Sequence, residues 1–382
     1  MRIFSSNSFR ATHMQAAHIQ SVLTRSFTAI TFTALSFIPA MAHADINLDI
    51  SGYFRAYAGY SSQDAKAPSG EKYKNFEFKR KTQLYFSGET TLDNGLTIGY
   101  LGTLFQENQD QIDAAKVERS SIYFSGNWGR FNLGRETGAA FILQVSAPSA
   151  DANVDGYSTS FSFYNSSLRW DYEHASVRDK YADKITYLTP KINGFQAGLS
   201  YTPNETTRDN PDDRFGMTQK HSTTFDGIWE VGGRYEGNFS GIGLQAGAGY
   251  SNASADDLAK TTGVKDRNIY NIATKITADA LGVGAAYLNE NAGMDNYNSR
   301  TWTLGADYKL NNDYTIGANY FNTKNRISGA KLNRYTVGGS YTFGPGMKFN
   351  GVLGLYDASA PQPASADNND ATVIILGTDI RF

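Results

Sequence analysis

The sequence predicts an all-β chain, a sixteen-stranded antiparallel transmembrane barrel with its third loop folded inward. Three observations carry this. Short segments of two-residue hydrophobic alternation recur from residue 48 to the end of the 382-residue sequence. The connections between them are alternately short and long, the pattern of a membrane barrel with turns at one rim and loops at the other. An export-type leader stands ahead of the first strand.

That leader is read over residues 1–44, with the barrel over 45–382. It carries Arg2, Arg10 and Arg25 and no acid, then the apolar run Phe27–Ile38, then Ala42-His43-Ala44. Basic region, short apolar core and a small-x-small site make a cleavable signal peptide, with Asp45 first afterwards. The run is diluted by Thr and Ser and falls short of the ~20 apolar residues that span a bilayer as a helix. Without the three arginines, 32 of the 35 basic residues face 37 acidic ones, a net charge of −5. Nucleic acid as a partner calls for clustered positive charge, and the balance argues against it. Cysteine is absent, so disulfides and thiolate metal sites are excluded.

The strands follow in order. In Leu48–Ala58 the residues Leu48, Ile50, Gly52, Phe54, Ala56 and Ala58 share one face, and Asp49, Ser51, Tyr53, Arg55 and Tyr57 the other. A polar connection, Ser61–Asn75, leads to a second strand around Leu84 and Phe86. Asp93-Asn94-Gly95 then reverses the chain into a third strand, Thr97–Phe105, because Asn-Gly readily takes positive φ. Further strand pairs flank Asn127–Gly129, Pro190–Gly194, Gly237–Ser240, Ala278–Ala280, Asn311–Asp313 and Gly344–Gly346. A last strand, Thr372–Phe382, closes the set. Longer connections alternate with these turns, among them Pro203–Phe225, Ser251–Arg267 and Ala358–Asp370. The 24 Tyr and 23 Phe include many at strand ends, where interfacial girdles need a ring that is apolar in body and polar at its edge.

One segment breaks the alternation. From Glu136 to Lys180 the chain runs through Gly138-Ala139-Ala140-Phe141, Pro148, Asp151, Asp155 and a Ser/Tyr/Phe tract. A connection of that length inside a regular β pattern is typically functional or disordered. It is expected to fold into the barrel and narrow its lumen.

The turn Leu92–Thr97, the segment Trp128–Arg135, the element Tyr187–Phe195 and the closing strand Val373–Phe382 resemble the Gram-negative general diffusion porins. The resemblance implies a sixteen-stranded homotrimer in the outer membrane, in contact with its lipid and lipopolysaccharide, passing small hydrophilic solutes passively. It also implies a third loop that sets acids against a ladder of wall cations. Arg135 matches the basic residue ending the fifth strand, and Arg178 resembles another. Arg55, Lys79, Lys81 and Arg119 fall on lumen parity, with Asp151 and Asp155 as loop acids and Glu136 at the loop's root. Simple alternation turns Arg135 outward beside Phe131 and Leu133, so its place in the ladder requires a bulge or a reorientation.

Other classes stay open at this point. Tyr53, Tyr57, Tyr85 and Tyr123 share lumen parity and keep a channel selective for sugar, phosphate or small acids in play. A barrel esterase or protease would need His174 or His221 to activate a serine, and both lie in loop-like sequence. A plugged structural barrel is a further alternative. Neither a P-loop nor a Gly-x-Ser-x-Gly elbow occurs, and no cofactor or metal is expected. The Asp367–Asp370 cluster reads as a solvated loop.

Overall fold

A computed structural model describes residues 47–67, 69–107, 116–149, 162–165, 180–205, 224–359 and 368–382. The leader, Asp151, Asp155, Arg178, His174 and His221 lie outside these residues. The strands are β1 (Asn47–Gln63), β2 (Phe76–Thr91), β3 (Thr97–Glu107), β4 (Lys116–Gly126), β5 (Gly129–Arg135), β6 (Asp183–Leu188), β7 (Phe195–Asn204) and β8 (Phe225–Phe239). They continue as β9 (Ile242–Ala255), β10 (Arg267–Ala278), β11 (Leu281–Glu290), β12 (Ser299–Lys309), β13 (Tyr314–Asn325), β14 (Lys331–Gly344), β15 (Met347–Ser359) and β16 (Asn369–Arg381). Two short helices interrupt them, α1 (Ala139–Ile142) and α2 (Asp257–Thr261). Each strand pairs antiparallel with its sequence neighbours, and β1 pairs with β16, so the sheet is a closed sixteen-stranded barrel. Closure removes every sheet edge, which is what lets backbone amides lie in hydrocarbon.

The two faces are inverted relative to a water-soluble fold. Outward positions such as Ile272, Val337 and Leu376 are exposed and apolar, whereas inward Thr301, Thr303, Asn319 and Thr323 are buried and polar. Inward Thr301 and Thr323 hydroxyls bond one another at 3.0 Å. Outward rings form two girdles. Toward the long connections run Tyr201, Trp229, Tyr270, Tyr287, Trp302, Tyr320 and Tyr335, with Tyr287 and Trp302 centred 4.4 Å apart. Toward the short turns Phe131 packs on Tyr187 at 4.7 Å and Tyr314 stacks on Tyr341 at 4.6 Å.

The first hairpin stays paired out to Tyr60 and Phe76, the residues that bound the expected connection Ser61–Asn75. One boundary differs from the alternation reading. The turn between β8 and β9 is Ser240-Gly241, with φ of 51° and 90°, shifted beyond the Gly237–Ser240 segment. Two successive positive φ values match the twist of a two-residue hairpin.

Candidate functional site: the lumen and its inward loop

The connection after β5 enters the lumen, and its root is pinned by charge. Glu136, almost fully buried, lies 3.0 Å from the Arg119 guanidinium of β4. The same carboxylate oxygen accepts from the Thr137 amide at 2.7 Å and its hydroxyl at 3.0 Å. On β6 the buried Lys184 ammonium donates to the carbonyls of Glu136, Lys180 and Ala182, so both ends of the loop converge on one cation. A buried ammonium is tolerable only when its donors are satisfied, and here backbone dipoles do it.

From that root α1 crosses the inner wall. The Ala139 amide donates to the Ser200 hydroxyl of β7 at 2.7 Å, and the Ala140 amide to the Glu230 carboxylate of β8 at 3.3 Å. Wall glycines make room for this path. A Cβ at Gly232 would lie 2.8 Å from the Ala139 carbonyl oxygen. One at Gly305 of β12 would collide with the Pro148 carbonyl. That carbonyl instead accepts from the Asn319 amide of β13 at 3.2 Å. Val145 packs into a lumen-side cluster with Ile269, Ala273, Ala286 and Leu288.

The returning limb, Ser162–Asn165, sits on a different arc of the wall. Tyr164 stacks on Tyr356 of β15 at 4.5 Å, and its hydroxyl donates to the Asn369 carbonyl at 2.8 Å. Phe163 lies over Gly59 of β1, where a Cβ would overlap its ring. The Lys79 ammonium of β2 donates to the Ser162 carbonyl at 2.6 Å. The loop therefore touches β7–β13 with one limb and β1, β2, β15 and β16 with the other.

The expected wall cations lie on lumen parity of β1, β2 and β4, in unequal circumstances. Arg55 is only 6 % exposed, paired to Asp379 of β16 at 3.1 Å and stacked over Tyr53 at 4.4 Å. Lys79 is drawn to Glu77 at 3.5 Å as well as to the loop. Arg119 is held by Glu136. Lys81 differs: its ammonium rests 4.7 Å from the Phe105 ring centre, and its neighbour across the β2–β3 pairing is Glu107. Glu136 is the loop's fastening rather than an acid displayed to the lumen.

Arg135 stands elsewhere. Its cross-strand neighbours are Ser120 and Asp183, both exposed on the outward face, and its guanidinium donates to the Val117 carbonyl at 3.1 Å. A bulge does occur nearby, but in β4. Glu118 is skipped in the pairing of Thr103 with Arg119 and Leu104 with Val117, so Val117 turns outward while Arg119 stays in. No comparable slip occurs in β5, and Arg135 keeps the outward parity of Phe131 and Leu133.

Other side chains enter the lumen that the alternation reading did not single out. Arg130 of β5 lies 3.7 Å over the Tyr123 ring and bonds the Asn132 side chain at 2.6 Å, with no carboxylate partner among the described residues. Its alternation with Phe131 was a usable signal. Lys180 sits 4.6 Å from the Phe141 ring centre. The lumen tyrosines are largely spent on the wall: the Tyr53 hydroxyl donates to Gln83 at 2.6 Å, Tyr123 bonds Glu89, and Tyr57 is 2 % exposed. Such rings offer no continuous stacking surface to a sugar. No group of three metal-ligating side chains occurs among the described residues.

A profile of the Gram-negative porin family matches residues 31–361. An uncharacterized protein of Rickettsia bellii is 25% identical over 189 residues, 43% of this chain and 43% of that protein. One of Rickettsia typhi is 24% identical over 190 residues, 43% of this chain and 42% of its own length. The chain thus spans less than half the length of these curated relatives. Among solved structures, the anion-selective porin from Comamonas acidovorans superposes with a TM-score of 0.63 at 16% identity, covering 88% of this chain and 100% of that one. A triple mutant of Rhodopseudomonas blastica porin gives 0.56 at 17% identity, with the same coverages. At such identities the likeness is one of fold. With a closed sixteen-stranded ring, a polar lumen and a family match over most of its length, the chain belongs to the Gram-negative porins.

Proposed function

We propose that the protein is an outer-membrane channel through which small hydrophilic solutes and ions diffuse passively, with the 136–180 loop as its constriction and a preference for anions. The observation that carries the reading is a loop seated on two separate arcs of a polar inner wall. Lys81 and Arg130 supply the preference, as lumen-parity cations that rest on the rings of Phe105 and Tyr123. Charges in a narrow aqueous lumen act across a low-dielectric wall and set the entry barrier for ions. The anion selectivity named for the Comamonas protein agrees with this sign. Diffusion assigns no residue a catalytic role. A cleaved leader over residues 1–44, a homotrimeric assembly and contact with lipopolysaccharide belong to the same proposal.

The test is reversal potential in a planar bilayer under a salt gradient. Ohmic openings with anion preference, weakened by Lys81→Gln, are the expected result. Openings blocked at low concentration by one sugar or organic acid would favour a substrate-selective channel instead. A folded barrel that never conducts would sink the proposal.

A further inference from the structure

One cross-strand row of the inner wall runs from the short-turn rim up to the loop. Thr342 of β14 pairs with Lys348 of β15, and Lys348 with Asp379 of β16. Asp379 pairs in turn with Arg55 of β1, and Arg55 with Lys81 of β2, before the row ends on Glu107 of β3. Strands of such a barrel tilt by ~35–45° and stand ~4.8 Å apart, so the steps from Lys348 to Lys81 cover ~14 Å of wall and climb ~9 Å. Lys348 accordingly lies just after the turn that joins β14 to β15, whereas Lys81 lies in the loop-side half of β2. The row is a ramp.

Charge gathers at its lower end. The Arg55 and Arg381 guanidiniums reach the same oxygen of Asp379, at 3.1 and 3.5 Å. The other oxygen has no hydrogen-bond partner among the described residues. Arg55 is buried beneath, while the Arg381 side chain and Lys348 are exposed on lumen parity. Three cations therefore gather about one carboxylate, a surplus of two positive charges. The next acid along the rim, Asp313, stands beyond Thr342, two strand spacings or ~10 Å from Lys348. Beside the cations the wall offers hydroxyls, Thr342 opposite Lys348 and Ser340 opposite Asn350, both half-buried.

We propose that the short-turn end of the lumen holds a binding station for a small divalent oxyanion, with Lys348 and Arg381 as its donors and Thr342 and Ser340 at its margin. The surplus of two charges matches a divalent anion. Guanidinium and ammonium donors suit its several oxygens, the guanidinium as a two-pronged fork and the ammonium as a point charge. A halide would leave one charge and most of these donors unused. The station rests on the anion-channel reading above and gives it a second stage, ~14 Å down the wall from Lys81. An anion that clears the constriction descends the tilted row past Arg55 and is held at the exit.

The experiment titrates inorganic phosphate, at a pH where it is divalent, into the full-length protein in detergent and reads binding by calorimetry. Salt is kept low so that the charges are not screened. One phosphate per chain is expected. Affinity should fall at least fivefold in the combined Lys348→Gln and Arg381→Gln variant. It should stay within twofold of wild type in Lys275→Gln, which removes a lumen-parity cation of β10 on another arc. Far-ultraviolet circular dichroism certifies that both variants keep the barrel. Wild-type affinity in the double variant would overturn the proposal. An equal loss in Lys275→Gln would overturn it too, by giving the binding to diffuse lumen charge, as would chloride displacing phosphate at equal concentration. Failure of the channel reading is separable, because binding is read without current. A barrel silent in the bilayer that still binds phosphate loses the channel and keeps the station, and a conducting barrel that binds none loses the station alone.

Discussion

Lys81 and Arg135 are both basic residues near the loop-bearing end of the wall, and one register step separates their consequences. Lys81 pairs with Arg55 across β1 and β2 and faces inward. Arg135 pairs with Ser120 and faces out. Lys81→Gln should shift the reversal potential toward cations, and Arg130→Gln should do so in the same direction. Arg135→Ala should leave it where it is, and a shift equal to that of Lys81→Gln would return Arg135 to the lumen. Alternation alone was enough to read the inward residues Arg55, Lys79, Lys81 and Arg119. It also turned Arg135 outward, against the role that family likeness implied. Lys184 and Glu230 were harder to recognise. Their partners are backbone groups of the loop, and a backbone carbonyl carries no mark in a sequence.

At the scale of the element, the loop stays inside because the wall is shaped for it. Gly232 and Gly305 leave a track only as deep as a missing Cβ, and Ser200, Glu230 and Asn319 supply hydrogen bonds along it. Gly305→Val would press a side chain into Pro148, an overpacking that costs about 1–3 kcal/mol. The strain is relieved by lifting the loop, so unit conductance should rise, with more open-channel noise, while far-ultraviolet circular dichroism stays that of the wild type. Unchanged conductance would mean that the loop limb near Pro148 does not border the conducting path. Lys184→Met acts at the other end, removing the cation on which both loop ends converge. Two buried carbonyls, those of Glu136 and Ala182, lose a donor at ~1–3 kcal/mol each, and the thermal midpoint should fall along with loop order. The strands were legible because period two repeats sixteen times. The glycine track was not, because a lumen glycine and an outward one look alike until the loop above it is placed.

For the whole molecule, the separation of charges between wall and loop sets how the proposed channel should respond to its medium. Arg55 and Arg119 are neutralised at contact distance, by Asp379 and Glu136, and their pairing is little affected by ions in solution. Lys81 and Arg130 act on a passing ion through water, and such a field is screened over ~10 Å at 0.1 M salt and ~3 Å at 1 M. The lumen of a sixteen-stranded barrel is wider than the second distance and comparable with the first. Anion preference should therefore be marked at low salt and largely vanish near 1 M, whereas exclusion of neutral solutes by size should not move. Measuring reversal potentials at fixed gradient ratio and rising absolute concentration separates the two. A preference that persists undiminished at high salt would require anions to bind a dehydrated site at contact, as in a substrate-selective channel. The diffuse arc of cations on β2 and β5 would then not be its source.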